Sequence, residues 1–279
     1  MSNRLRTLAA TLGALTLATV GLAGCSTGAD TLTVSASATP HAEILDYLEE
    51  SGQLPNVDLK VETISGEVDP NQLLEAGDVA ANYFQHKPYL DDWQVQNGTD
   101  NLETVAATHI EPMAVYSGKH ASIGEIPDGA TIAVPKDPTN YARALYVLEG
   151  AGLLTMAEPA ATANLSTITA ADVANNPKNL SFVELDRAQL PRSLDDPAVA
   201  AAVINSNYAL EAGLSPATDG LYVEAEDGNP YANFLVTTKD KAQDPAVREL
   251  TAALESPQTA AWIQQTYGDS IVVLHADAS

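Results

Sequence analysis

From Thr31 onward, apolar and polar positions fall into short runs whose period alternates between two and nearly four. T-L-T-V-S-A (31–36) alternates as a strand does. T-P-H-A-E-I-L-D-Y-L-E-E-S-G (39–52) gathers its apolar residues on one helical face, with Thr39 as the expected N-cap, Pro40 in the first helical position and Gly52 as the stop. V-D-L-K-V-E-T-I (57–64) alternates again, D-P-N-Q-L-L-E-A-G (69–77) reads as a second capped helix, and V-A-A-N-Y-F-Q-H (79–86) as a third strand. Pro88 then opens a helix. Such βα alternation predicts a largely parallel sheet covered by helices. The run T-V-A-A-T-H-I-E-P-M-A-V-Y-S (104–117) is too long for one strand and contains Pro112, which suits an extended segment crossing between two bodies. The pattern restarts with a strand at 131–135, a helix at 139–152 with Thr139 as expected cap, and strands at 180–185 and 201–208. Residues 157–164 read as a loop. A polar turn at 225–230 feeding an apolar run is the natural second crossing, and two helices with matching starts, D-P-A-V and S-P-Q-T, follow at 244–254 and 256–268.

Composition adds size and surface. The chain has 279 residues, 45% of them apolar, enough for two bodies with their own cores. A formal charge of −24 suits a hydrated surface and opposes nucleic-acid binding, because phosphates would be repelled. The single cysteine, Cys25, rules out an internal disulfide and a cysteine zinc cluster. Residues 1–24 place Arg4 and Arg6 ahead of an uncharged stretch that ends in small residues, the pattern of a secretory signal. L-A-G-C (22–25) resembles the bacterial lipobox, which makes Cys25 the expected lipidation site, residues 25–30 a tether, and the protein one anchored to a membrane face rather than spanning it.

Candidate chemistry is sparse. No G-x-S-x-G, H-E-x-x-H, Walker or G-x-G-x-x-G motif is present. The five histidines are scattered, and the His109/Glu111 spacing is too weak to predict a metal site. No enzymatic activity, cofactor or metal is expected. Arg143, near the start of its helix, sits badly beside the positive helix end unless an anion is bound there; a surface acid could equally hold it. On a strand, Asn82, Phe84 and His86 share one face and Tyr83 and Gln85 the other, and Pro88 brings Tyr89 back to the strand end. Phe84, His86 and Tyr89 are thus either a ligand-facing wall at the carboxyl end of a sheet or ordinary core. Asn205, Asn207 and Asn233 are either head-group contacts or turn residues.

Longer motifs narrow the choice. A-N-Y-F-Q-H-K-P-Y-L-D, T-H-I-E-P-M, D-G-A-T-I-A-V-P-K-D-P-T-N-Y-A-R-A-L, N-P-K-N-L-S-F-V-E-L-D-R-A-Q-L-P-R-S-L-D-D, A-V-I-N-S-N-Y-A and N-P-Y-A-N-F-L-V run in order across residues 31–275. Together they resemble the NlpA-type lipoproteins, the methionine-binding components of bacterial ABC importers. The resemblance implies an α/β, two-lobed periplasmic-binding-protein fold (type II-like), each lobe a mostly parallel sheet covered by helices. Residues 31–111 plus 231–279 would form lobe 1 and 112–230 lobe 2, joined by two crossing segments. It implies capture of L-methionine or a related amino acid and its delivery to an ABC permease and its ATPase, at the outer face of the bacterial cell membrane. Arg143 is then implied to bind the ligand carboxylate, Asn205 and Asn233 the polar end, and Phe84, His86 and Tyr89 the thioether. Asn82, Tyr83 and Asn207 stand as specificity positions beside them. So does Glu67, in G-E-V-D-P-N, where the family often has a tyrosine. A buried unpaired carboxylate is costly, so either Glu67 faces solvent or the slot takes a more polar side chain. The alternatives are the same fold with a different ligand, such as a polar or cationic amino acid or a short peptide, and a surface lipoprotein with no transport role.

Overall fold

The computed structural model describes residues 29–64, 68–226 and 228–274. The signal segment, Cys25, the start of the tether, and Glu67 lie outside the described residues.

The chain opens with strand β1 (Asp30–Ser37), a wide turn at Ala38–Ala42 and helix α1 (Glu43–Glu50). Thr39 is extended inside that turn (φ −121°, ψ 133°), and its hydroxyl donates to the Glu43 carboxylate instead of accepting from a helix amide; the regular helix begins at Glu43, later than the sequence suggests. β2 (Val57–Ile64), α2 (Pro70–Ala76), β3 (Ala81–His86), α3 (Lys87–Asn97) and β4 (Leu102–Ile110) follow. Asp69 caps α2 through the amides of Asn71 and Gln72, and Gly77 ends it at φ 81°, a conformation that glycine adopts without a Cβ clash.

Glu111, Pro112 and Met113 lead out of β4 into β5 (Ala114–Tyr116). Then come β6 (Thr131–Pro135), α4 (Pro138–Gly150), a ribbon of β7 (Thr155–Met156) and β8 (Val173–Asn175), β9 (Ser181–Leu185), α5 (Leu190–Ser193) and β10 (Val199–Ile204). α6 (Ser206–Glu211), α7 (Pro216–Asp219) and β11 (Tyr222–Val223) complete this part. The chain then returns through residues 224–231 to β12 (Ala232–Thr238), α8 (Pro245–Leu254), α9 (Pro257–Tyr267) and β13 (Val272–Val273). Among the described residues, no helix is long and apolar enough to cross a membrane.

Two sheets result. The first has the order β13-β4-β12-β3-β1-β2, the second β11-β5-β10-β6-β9. The βα units pair in parallel, β1 with β2 and β3, and β6 with β9 and β10. The strands that flank a crossing pair antiparallel: β12 with β3 and β4, and β5 with β10 and β11. Each sheet is therefore mixed rather than mostly parallel, because a chain returning from the other body enters its sheet from the opposite end. Both sheets are covered on both faces. Ile44, Leu45, Leu48 and Leu250 pack on one side of the first, and Leu74, Leu90 and Leu102 on the other. In β6 and β10 the strand period sorts Ile132, Val134 and Val203 toward α4, and Ala133, Ala202 and Ile204 toward α5 and α6. Fully burying one such aliphatic side chain stabilises the fold by roughly 1.5–3 kcal/mol.

Candidate functional site

Between the sheets, at the carboxyl ends of β3 and β10, lies a small chamber of ≈ 20 Å³. Phe84, His86 and Tyr89 line it from the first body, and Arg143, Asn205 and Asn207 from the second, with Asn233 and Glu111 beside the crossings. Phe84 and Tyr89 meet edge to face, 5.8 Å between ring centres. Residues separated by more than a hundred positions thus share one enclosed space.

His86 is both strand end and helix cap. Its Nδ1 accepts from the Tyr89 amide (3.2 Å), which fixes Nε2–H as the donor to Asn140 Oδ1 (3.1 Å) on the opposite body. The same Oδ1 accepts from Asn205 Nδ2 (2.8 Å), and Asn140 Nδ2 donates to Asp137 Oδ1 (2.8 Å). Burial, reinforced by Arg143, drives the His86 pKa down to about 3, so the ring is neutral at ordinary pH. Asn205 Oδ1 is buried with no hydrogen-bond partner among the described residues. An acceptor left this way in a residue 8% exposed is a place for a donor from a guest.

Arg143 differs from expectation in two ways. Asp137, not Thr139, caps α4, so Arg143 lies in the second turn and the helix start already holds its anion. The two-pronged carboxylate contact is made within the protein: Nε donates to Glu224 Oε1 (3.0 Å) and Nη2 to Glu224 Oε2 (2.6 Å). Nη2 also donates to the Glu111 carbonyl (2.8 Å), and the guanidinium lies 4.0 Å from the Tyr231 ring centre. Burial opposes the charge, but Glu224 outweighs it and holds the pKa above the ordinary arginine value. Nη1 has no acceptor among the described residues. Glu224 Oε2 in turn accepts from the Met113 amide (3.2 Å), so one carboxylate ties the returning segment to the outgoing one.

Asn82 and Tyr83 do not line the chamber. The β3–β12 register skips a residue, Gln85 facing Phe234 and Tyr83 facing Leu235, so Phe84 is an extra residue in a bulge. The bulge breaks strict alternation and puts Asn82 on the side of Gln85. Asn82 donates to Pro70 O (3.2 Å) and Asn71 Oδ1 (2.9 Å) and accepts from Gln85 Nε2 (2.8 Å), while Tyr83 turns to Thr108 (2.6 Å) and His109 (3.0 Å).

Behind the chamber, His41, His109 and Glu111 are all buried, with ligand-type atoms within 4.8 Å of one another, near enough to share a metal ion. Their partners favour a proton network instead. Glu111 Oε1 stands 3.0 Å from His109 Nε2 and 3.2 Å from His41 Nε2, whose other neighbour is Asn233 Oδ1 at 3.2 Å. Thr108 spends its hydroxyl proton on the Asn233 carbonyl, and Tyr83 and Thr108 face His109 Nδ1, leaving Nε2–H to donate to Glu111. Burial lowers the His41 pKa to about 4. Glu111 is held below the ordinary carboxylate range: burial works against its ionisation, but His41, His109 and Arg143 outweigh it.

A wider outer chamber of ≈ 400 Å³ shares Phe84, Tyr89 and Arg187 with the inner one. Sequence reasoning had no role for Arg187, Glu111, Glu224 or Asn140. Glu111 and Glu224 could have been suspected from their places in the two crossings, whereas nothing in periodicity singles out Arg187.

A model of the NlpA lipoprotein family matches residues 32–274. The D-methionine-binding lipoprotein MetQ of Salmonella typhi is 43% identical over 203 residues, 72% of each chain. Outer membrane lipoprotein 3 of Mannheimia haemolytica is 37% identical over 247 residues, 88% of this chain and 91% of its own. Among solved structures, a nutrient binding protein from Burkholderia cenocepacia bound to methionine superposes with a TM-score of 0.80 at 37% identity, covering 87% of this chain and 99% of that one.

Proposed function

The chain belongs to the NlpA lipoprotein family, and on that premise we propose that it is a lipid-anchored solute-binding protein that captures methionine and hands it to an ABC permease. It does no chemistry on its guest. Lobe 1 (31–111 and 231–279) and lobe 2 (112–230) close around the amino acid. The ammonium goes to Asn205 Oδ1 and the Glu111 carboxylate, and the carboxylate to the spare Nη1 of Arg143. The side chain lies against Phe84 and Tyr89, where sulfur near ring edges contributes roughly 0.3–1.5 kcal/mol per contact. Cys25 carries the lipid that holds the protein at the outer face of the cell membrane.

The observation that carries this reading is the unpartnered, buried Asn205 Oδ1 in a chamber shared with Arg143 and Phe84. A neutral closed site has no reason to leave an acceptor unpaired, and a zwitterion supplies the donor. Calorimetric titration with L- and D-methionine tests it. Wild-type protein is expected to bind at least one of the two, and Arg143→Ala to weaken that binding by about 2–5 kcal/mol, because a desolvated charge loses its partner. Unchanged affinity in that variant would remove Arg143 from the site; no binding of either enantiomer would remove the assignment as a whole.

A further inference from the structure

We propose that His41, which lies behind the inner chamber, is a positioning residue for the guest's head group: its Nε2–H sets Asn233 and Glu111 so that each keeps one polar end for the guest. This rests on the reading that an amino-acid head lies at Arg143, Asn205 and Glu111.

His41 stands in the turn after β1, is 1% exposed, and borders neither chamber. Its Nδ1 is buried without a partner, so the ring carries its hydrogen on Nε2, where two acceptors converge. Nε2–H donates to Asn233 Oδ1 (3.2 Å), and Glu111 Oε1 lies 3.2 Å from the same nitrogen. The Tyr83 ring, edge to face at 4.5 Å, and the His109 ring, 5.3 Å away, hold the imidazole in place. His109 Nε2–H is a second donor to Glu111 Oε1 (3.0 Å).

Both acceptors belong to residues that border the chamber. With Oδ1 spent on His41, Asn233 keeps its Nδ2 hydrogens, and the reverse orientation would set that NH2 against the imidazole N–H, donor against donor. With Oε1 spent on the imidazoles, Glu111 keeps Oε2 for an ammonium. Among the described residues, neither Asn233 Nδ2 nor Glu111 Oε2 has a hydrogen-bond partner. A cation at position 41 would neutralise Glu111 and repel the ammonium, whereas a buried neutral ring orients without competing.

The charge on Glu111 depends on the same contacts. Glu111 faces His41 from the turn, His109 from β4 and Arg143 from α4, with Tyr83 of β3, Glu211 of α6 and Tyr267 of α9 around them. Burial and Glu211 work against its ionisation; the two imidazoles and Arg143 prevail. Loss of the N–H at 41 removes one of the groups that oppose burial, so the carboxyl takes up a proton at higher pH and the ammonium loses its counter-charge.

The test is calorimetry at pH 7.5 and 5.5 on wild type, His41→Gln and His41→Leu, with whichever enantiomer of methionine wild type binds more tightly. Wild type is expected to change by less than about 3-fold between the two pH values, and His41→Gln, which retains a neutral N–H donor, to stay within about 3-fold of it at each. His41→Leu is expected to bind about 10-fold more weakly at pH 7.5 and to lose a further 5-fold or so at pH 5.5. Where His41→Leu does not fold, His41→Met is read in its place. The proposal is overturned if the apolar variant binds like wild type, if its loss is the same at both pH values, or if His41→Gln shares that loss, since a ring that only fills space predicts each of these. Those results leave methionine binding by wild type intact; folded wild type that binds neither enantiomer overturns the amino-acid reading beneath the proposal as well.

Discussion

At the scale of single residues, the buried histidines make a prediction whose sign is fixed by their surroundings. The His41 ring is neutral in the fold, with Nδ1 buried and unpartnered, so a second proton has nowhere to be solvated. Its pKa falls from 6.5 to about 4. Above 6.5 both folded and unfolded chains hold it neutral and it has no effect. As pH falls through 6.5 the unfolded chain takes the proton first, and stability is lost until the folded pKa is passed. Between pH 7.5 and 5 the loss amounts to about 2 kcal/mol. Relief of acidic self-repulsion acts in the other direction in so negative a protein. The clean measurement is thus the difference in urea unfolding between wild type and His41→Gln at the two pH values. Equal pH slopes for the two proteins would contradict a neutral, buried His41. The sequence shows histidine at 41, 86 and 109 but not that 41 and 109 converge on Glu111, because their proximity is made by sheet pairing across distant segments. Phe84, His86, Tyr89, Arg143, Asn205, Asn207 and Asn233 border one chamber, but periodicity alone left the aromatics readable as core and put Arg143 closer to the start of its helix than it lies.

At the scale of elements, the repeating strand and helix periods carried over well, and the departures have local causes. The bulge at Phe84 follows from pairing with β12, a strand almost 150 residues further along, which no window around β3 contains. The cap of α4 moved from Thr139 to Asp137 because a proline at 138 favours the first helical position, leaving the aspartate before it to accept the Asn140 amide (3.1 Å). A tight junction also holds α7 against the second sheet. A Cβ on Gly220 would come within 2.5 Å of the Pro216 carbonyl oxygen, 3.2 Å of Val223 Cγ2 and 3.3 Å of Ala114 Cβ. The first of these is backbone and cannot rotate away. Gly220→Ala is therefore expected to destabilise by about 1–3 kcal/mol, seen as a lower urea midpoint with an unchanged slope. An unaltered midpoint would mean that the α7–β11 corner is loose.

At the scale of the molecule, two bodies are joined where residues 111–113 leave the first sheet and 224–231 return to it, and contacts from one body to the other close the chamber: His86 to Asn140, and Arg187 over Tyr89. Ser215 Oγ also meets Ser270 Oγ across the bodies (2.9 Å), and a guest that touches both bodies adds to these contacts in favour of the closed form. Small-angle scattering is expected to show a smaller radius of gyration when methionine is added; an identical profile with and without it would argue against closure. The division into two bodies could be read from the places where the β–α rhythm restarts, but the axis of their motion could not, since it depends on a carboxylate from one linking segment meeting an amide of the other. That meeting of Glu224, Met113 and Arg143 is the expected fulcrum of an opening motion. None of the linking residues borders the outer chamber, so on opening the rim near Tyr89 and Arg187 sweeps the longer arc while the head group's grip scarcely shifts. A departing guest would then let go tail first, and changes at the rim should register as faster escape far more than as slower entry.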